Sequence, residues 1–196
     1  MAGRSHVIAR TFDRVCALLG QLGYIDGDTV TAQGRQLAGL YTELDLLAAE
    51  CLRQGIWDDL APAELAACVS ALTFGSRRTD DASPPRLPPG RVAGVLASML
   101  RVWGQLDGAE RDHELSFLRE PDLGFAWTAH AWARGRPLEQ LLSPDLTPGD
   151  FVRAVKQLVD LLGQIAAAAG PAPVAATARS AIDSLRRGVV AYSSVG

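Results

Sequence analysis

The chain has 196 residues and a mass of 20.8 kDa; 48% of it is hydrophobic, 21% is charged, and mean hydropathy is +0.09. That is enough apolar material for one or two folded domains and too much for a disordered tail. The net charge of −3, from 19 basic and 22 acidic residues, argues against a free-standing nucleic-acid clamp, which is basic overall.

The first predicted element is a helix from Ile8 to Leu22, where Phe12, Val15, Leu18, Leu19 and Leu22 recur at three- and four-residue steps. Gly23 ends it. Asp26-Gly27, between Tyr24-Ile25 and Thr29-Val30, predicts a tight β-hairpin. A second helix is expected from Ala32 to about Leu52, capped by Thr31, with Leu37, Leu40, Tyr41, Leu44 and Leu47 along it. Pro62 opens a third, running to Phe74. Residues 75–90 hold four prolines and the Arg77-Arg78 pair, and predict a solvated loop. Helical spacing resumes from Val92 to Leu106, followed by a polar stretch from Asp107 to Glu120. Further helices are expected from about Asp122 to Arg134, briefly over 136–142, from Asp150 to Ala169, and from Pro171 to Arg187, with a tail after Gly188. The sum is an all-α helical bundle of about seven helices with one small β-hairpin near the N-terminus. The expected organisation is a helix–hairpin–helix opening segment over 1–55, similar to a fragment of a winged-helix module, and a bundle over 56–196.

Few residue groups point to chemistry. Lys156 is the only lysine, and no glycine-rich turn precedes it, so a P-loop is excluded. Cys16, Cys51 and Cys68 form neither a disulfide framework nor a zinc pattern, and each reads as a small buried hydrophobe. His6, His113 and His130 lack partners at metal-ligand spacing. Asp58-Asp59 and Asp80-Asp81 sit in turns where nothing would desolvate an acid and raise its pKa. Trp57, Trp103, Trp127 and Trp132 read as core packing. The expectation is therefore no catalytic residue and no metal. The first ten residues carry no apolar segment of a secretory signal, and no apolar run reaches a membrane span. A reducing cytoplasm is the expected compartment.

The helix over 150–169 is the most informative element. Phe151, Val155, Leu158, Leu162, Ile165 and Ala169 follow steps of four and three and form its buried face. The remaining face carries Arg153, Lys156, Gln157, Asp160 and Gln164 as one polar ridge. Such side chains suit a solvent-facing surface, and they also suit donation to phosphates and bases along a nucleic-acid channel. From Arg153 onward basic residues outnumber acidic ones by five to two, with Arg179, Arg186 and Arg187 following the ridge.

Six segments in order carry a resemblance. Leu22-Gly23-Tyr24 with Val30-Thr31-Ala32-Gln33-Gly34-Arg35, then the helix at Glu43 to Glu50, then Leu60 to Ala67, resemble the opening of the C-terminal helical, DSHCT-type domain of superkiller-type DExH-box RNA helicases. Trp132-Ala133-Arg134-Gly135, Gly149-Asp150-Phe151-Val152-Arg153 and Arg187-Gly188-Val189-Val190 are similar to its later landmarks, most closely in the actinobacterial HelY-like branch. The resemblance implies an accessory bundle of an ATP-dependent helicase, without catalysis in this chain. It implies a ratchet-type helix over 150–169 that lines a channel for single-stranded RNA, with DNA as the alternative substrate. Arg153, Lys156, Gln157, Asp160 and Gln164 would then be the nucleic-acid-binding residues. Gln157 departs from eukaryotic members of the family, where arginine is common. The implied partners are RecA-like motor domains, which would hold ATP and Mg; no cofactor is implied for this chain. A stand-alone α-helical module that docks protein or DNA is the competing reading.

Overall fold

The computed structural model describes residues 2–76 and 84–192, with side chains from residue 7 onward. Among these, nine α-helices and one two-stranded antiparallel sheet make up the regular structure, and seven of the helices have eight residues or more. The expected all-α bundle with a single hairpin is the observed fold. Arg77-Arg78, Asp80-Asp81 and the rest of 77–83, the His6 side chain and residues 193–196 lie outside the described residues.

The first helix, α1 (Ala2–Gln21), stops because Gly23 takes a φ of +80°, which lets Tyr24 N–H return to the Leu19 carbonyl at 2.9 Å. The hairpin pairs β1 (Ile25–Asp26) with β2 (Thr29–Val30), turning at Gly27 with φ +56°. Thr31 then caps α2 (Ala32–Leu37) by accepting from Gly34 N–H at 3.1 Å. Gly34 is required by close approach: a Cβ there would run into the Tyr24 carbonyl oxygen and the Val30 side chain.

The helix expected over Ala32 to Leu52 is two helices. After α2 the chain turns through residues 38–44 before α3 (Asp45–Arg53) begins with Asp45 accepting from Leu46 N–H at 2.6 Å. The break lets Leu40 and Leu44 both reach the core from a non-helical segment. It also resets the helical phase, so Tyr41, which fell on the apolar stripe of a continuous helix, points outward and is 78% exposed.

The centre of the molecule is α4 (Pro62–Thr73), in which every residue from Leu65 to Leu72 is buried. It packs against α6 (Ala126–Ala133), α7 (Pro148–Ala168) and α8 (Pro173–Leu185). Four aromatic rings join these helices. Phe74 stacks on Phe125 at 5.1 Å, Phe125 lies 6.1 Å from Phe151, and Trp132 meets Phe151 edge-on at 5.1 Å. One contiguous apolar cluster runs from Tyr24 to Val190.

Other boundaries differ from expectation for local reasons. The long α5 (Val92–Asp112) continues through residues 107–112, because Leu106 and Glu110 keep the same inward face. The carboxylate of Glu110 then accepts from Phe117 and Leu118 N–H at 2.8 and 3.0 Å and secures the crossing that follows. Residues 123–125 form a 3-10 turn before α6, held by Asp122, which accepts from Gly124 N–H and from both Ser76 donors. The brief helix expected over 136–142 is a 3-10 turn at Leu138–Gln140. The tail forms a short α9 (Gly188–Tyr192), anchored by buried Val190. Cys51 and Cys68 are buried and Cys16 is half-buried. Burial pushes the Cys51 thiol above its ordinary range and the Cys68 thiol up to about 12, so neither supplies a thiolate near neutrality. Trp57 and Trp132 lie in the core, while Trp103 and Trp127 are half-buried against it.

Candidate nucleic-acid interface

The start of α7 is set by Thr147-Pro148-Gly149-Asp150. Thr147 Oγ1 accepts from Asp150 N–H at 3.2 Å, Pro148 occupies the first turn, and Asp150 places a carboxylate at the positive end of the helix dipole. From there the apolar stripe turns inward: Phe151, Val155, Leu158, Leu162 and Ile165 are fully buried. With the neighbouring helices packed against this face, the ridge opposite has only one way to point.

Along that ridge Arg153, Lys156, Gln157 and Asp160 are exposed and Gln164 is half-buried. From Arg153 to Gln164 the helix rises about 16 Å. Arg153 pairs with Asp150 at 3.2 Å across an exposed surface, a contact that is easily exchanged for another anion. Lys156 and Asp160 share a shallow concavity with Val159, Arg186 and Val190, where α7 faces the junction of α8 and α9. Arg186 therefore joins the ridge as its charge count implies.

Arg187 does not join it. Its guanidinium lies 3.4 Å over the Trp132 ring and donates to the Trp132 and Arg136 carbonyls at 2.7 and 2.6 Å. It thereby closes the C-terminal end of α6.

Gln164 is engaged at both ends of its amide. Nε2 donates to Asp160 at 2.9 Å, and Oε1 accepts from Tyr41 N–H at 2.7 Å. The ridge thus ends against the 38–44 segment. Beyond it, Gln36 Nε2 donates to the Ala168 carbonyl at 2.8 Å, beside a second shallow groove lined by Gln33, Arg35 and Ala167. The sequence pattern had no access to either feature: the exposure of Tyr41 follows from the break between α2 and α3, and the second groove from the docking of α2 on the end of α7.

Among the described residues no group of three or more His, Cys, Asp or Glu side chains is placed to hold a metal ion. Among them too, no helix is long and apolar enough to cross a membrane.

The family profile for the DSHCT (NUC185) domain matches residues 27–193. The chain belongs to this family. It is 41% identical over 209 residues to "Probable helicase HelY" of Mycobacterium leprae, across 99% of this chain and 23% of that protein. "Probable helicase HelY" of Mycobacterium tuberculosis is 40% identical with the same coverage. "Superkiller complex protein 2" of Homo sapiens is 28% identical, across 100% of this chain and 16% of that protein. This DSHCT domain therefore spans under a quarter of the length of the relatives it matches.

Proposed function

We propose that this DSHCT domain is the accessory bundle of an ATP-dependent RNA helicase, and that the α7 ridge lies along single-stranded nucleic acid. In this reading residues 1–55 lead the chain into a bundle formed by 56–196, and RecA-like motor domains bind ATP and Mg and hydrolyse the nucleotide. The work of this chain is to hold the strand. The observation that carries the reading is the sidedness of α7: between Phe151 and Ala166 the rest of the helix is buried or half-buried, which leaves one polar line with Arg153, Lys156 and Gln157 exposed on it. Arginine and lysine there would donate to phosphates, and Gln157 offers both a donor and an acceptor to a base edge.

Binding by the isolated chain should fall in the non-specific range, about 10⁻⁴ to 10⁻⁶ M, and weaken as salt rises. Fluorescence anisotropy with a labelled single-stranded RNA tests this. Arg153→Ala and Lys156→Ala should each weaken binding and flatten its salt dependence, whereas Asp160→Ala should strengthen it by removing a negative charge from the strand's path. Unchanged affinity in both basic variants would leave the ridge a solvent-facing surface. The competing reading, a module that docks another protein, is favoured by the exposed Val7, Ile8 and Phe12 on α1.

A further inference from the structure

We infer that Tyr41 is a stacking platform for a nucleobase at the far end of the α7 ridge. The inference rests on the ridge reading above and extends it from phosphate and edge contacts to a base face. Three observations converge on this residue.

The first is its exposure. Tyr41 is 78% exposed, between Leu40 at 3% and Leu44 at 0%. An aromatic ring left in water beside two fully buried leucines gains nothing for the core.

The second is the rigidity of the backbone that presents it. Leu40 and Leu44 pin the segment from below. Thr42 Oγ1 donates to the Leu72 carbonyl at 3.4 Å, and Arg119 joins Glu43 and the same carbonyl at 2.8 and 2.9 Å. Residue 41 therefore has little freedom of its own, and ordering the ring on binding costs only the rotation of two side-chain torsions.

The third is position. Tyr41 N–H is held by Gln164, and Gln164 is held by Asp160. The bracket places the Tyr41 backbone against the last residue of the polar ridge. Gln36 ties α2 to the end of the same helix through the Ala168 carbonyl. A strand lying along Arg153, Lys156 and Gln157 would reach Tyr41 next. Every base has a π-face, so such a platform grips without selecting a sequence.

The test compares Tyr41→Ala, Tyr41→Leu and Tyr41→Phe in the full chain. The probes are a labelled single-stranded oligoadenylate RNA and a matched abasic ribose-phosphate strand, titrated at low salt, with Arg153→Ala alongside. Tyr41→Phe should bind the oligoadenylate as the parent chain does. Tyr41→Ala and Tyr41→Leu should bind it about tenfold more weakly, the loss of one stacked base. On the abasic strand all three should match the parent. Thermal unfolding should be unchanged throughout, because the ring is exposed. Equal affinity of Tyr41→Ala and the parent for oligoadenylate would overturn the platform, as would the same loss on the abasic strand or full rescue by leucine. If Arg153→Ala weakens binding and Tyr41→Ala does not, the ridge stands without the platform. If neither variant differs from the parent, the ridge reading falls and takes the platform with it.

Discussion

Around α7 the holding forces are apolar. The Phe151 ring is fully buried between Phe125 and Trp132, on a helix packed against α4. In the opening segment, residues 2–53, a buried carboxylate works beside the apolar contacts of Leu40, Leu44 and Leu47. Glu50 is 2% exposed and accepts from Tyr24 Oη at 2.6 Å, from Arg53 Nη2 at 2.8 Å and from Gln54 Nε2 at 3.0 Å. Arg53 also donates to the Leu22 carbonyl at 2.9 Å, so through one ion pair α3 holds Leu22 and Tyr24 in the link between α1 and β1. The difference teaches where each region is vulnerable. Loss of a ring at the centre leaves a void, whereas loss of one donor at Glu50 leaves a buried charge short of a partner.

Two substitutions would break the comparison if their effects came out alike. Phe151→Ala should cost about 3–5 kcal/mol, read from urea denaturation at neutral pH. Because the apolar cluster is continuous from Tyr24 to Val190, the transition should shift as a whole. A loss near 1 kcal/mol would mean that the four-ring contact collapses without a cavity. Tyr24→Phe should cost roughly 1–3 kcal/mol, since the volume is kept and only the donor to Glu50 is lost. Burial and the Glu50 hydrogen bond hold the Tyr24 phenol well above its ordinary pKa, so the hydroxyl stays a donor at any ordinary pH. Hydrogen exchange after Tyr24→Phe should speed up in β1, β2 and α3 more than in α7. Equal acceleration in both regions would show that they open as one unit.

The two regions were also unequally legible in the sequence. The stripe of α7 could be read directly because Phe151, Val155, Leu158, Leu162 and Ile165 keep the 3.6-residue period on a helix with one wet face. Its cap at Thr147 and Pro148 agreed with that period, and the exposed positions Arg153, Lys156, Gln157 and Asp160 followed from it. In the opening segment the period misled. Leu37, Leu40, Leu44 and Leu47 keep helical spacing across a turn that is not helical, so the break over 38–44 left no trace in the pattern. The available signal was chemical: Gly39 just past α2, and Asp45 as an acid in the first turn of the restart, where it accepts from Leu46 N–H. Gln164 shows the same limit at the site. Spacing placed it on the ridge, but its hydrogen bond to Tyr41 joins residues 123 positions apart, which no local period encodes.

A third substitution sharpens the contrast between the two faces of α7 itself. Arg153→Ala removes an exposed pair with Asp150 and should change stability by less than about 0.5 kcal/mol. Its effect should appear in RNA binding alone. Gln157→Arg should leave stability equally untouched and tighten binding, by adding a phosphate-directed donor to the same exposed line. Thermal unfolding of both variants beside the anisotropy titration separates the roles. A fall in stability comparable to that of Phe151→Ala would show that Arg153 serves the core.

The smallest expected effect asks whether the packed centre has a titratable edge of its own. His130 is half-buried on α6, and its pKa is lowered from 6.5, first by burial and then by the nearby Arg134 guanidinium, against a smaller opposing pull from Glu64. The unfolded chain therefore takes up a proton on His130 at a higher pH than the folded chain does. Above both pKa values the ring is neutral in either state, and it adds no pH dependence. As pH falls through 6.5 the unfolded state binds more protons than the folded state, so stability drops until the folded pKa is passed. Burial also raises the Asp45 carboxyl above the ordinary carboxylate value, and its proton uptake works in the opposite sense, adding stability as pH falls, so the His130 contribution is read from the difference between parent and variant. The midpoint of thermal unfolding should thus fall between about pH 7.5 and about pH 5.5. His130→Gln keeps a polar side chain without a titrating ring, and should flatten that slope while leaving the Glu50 network in place. The same slope in the variant and the parent would assign the dependence to groups outside α6, and the centre would then be held by apolar contact alone.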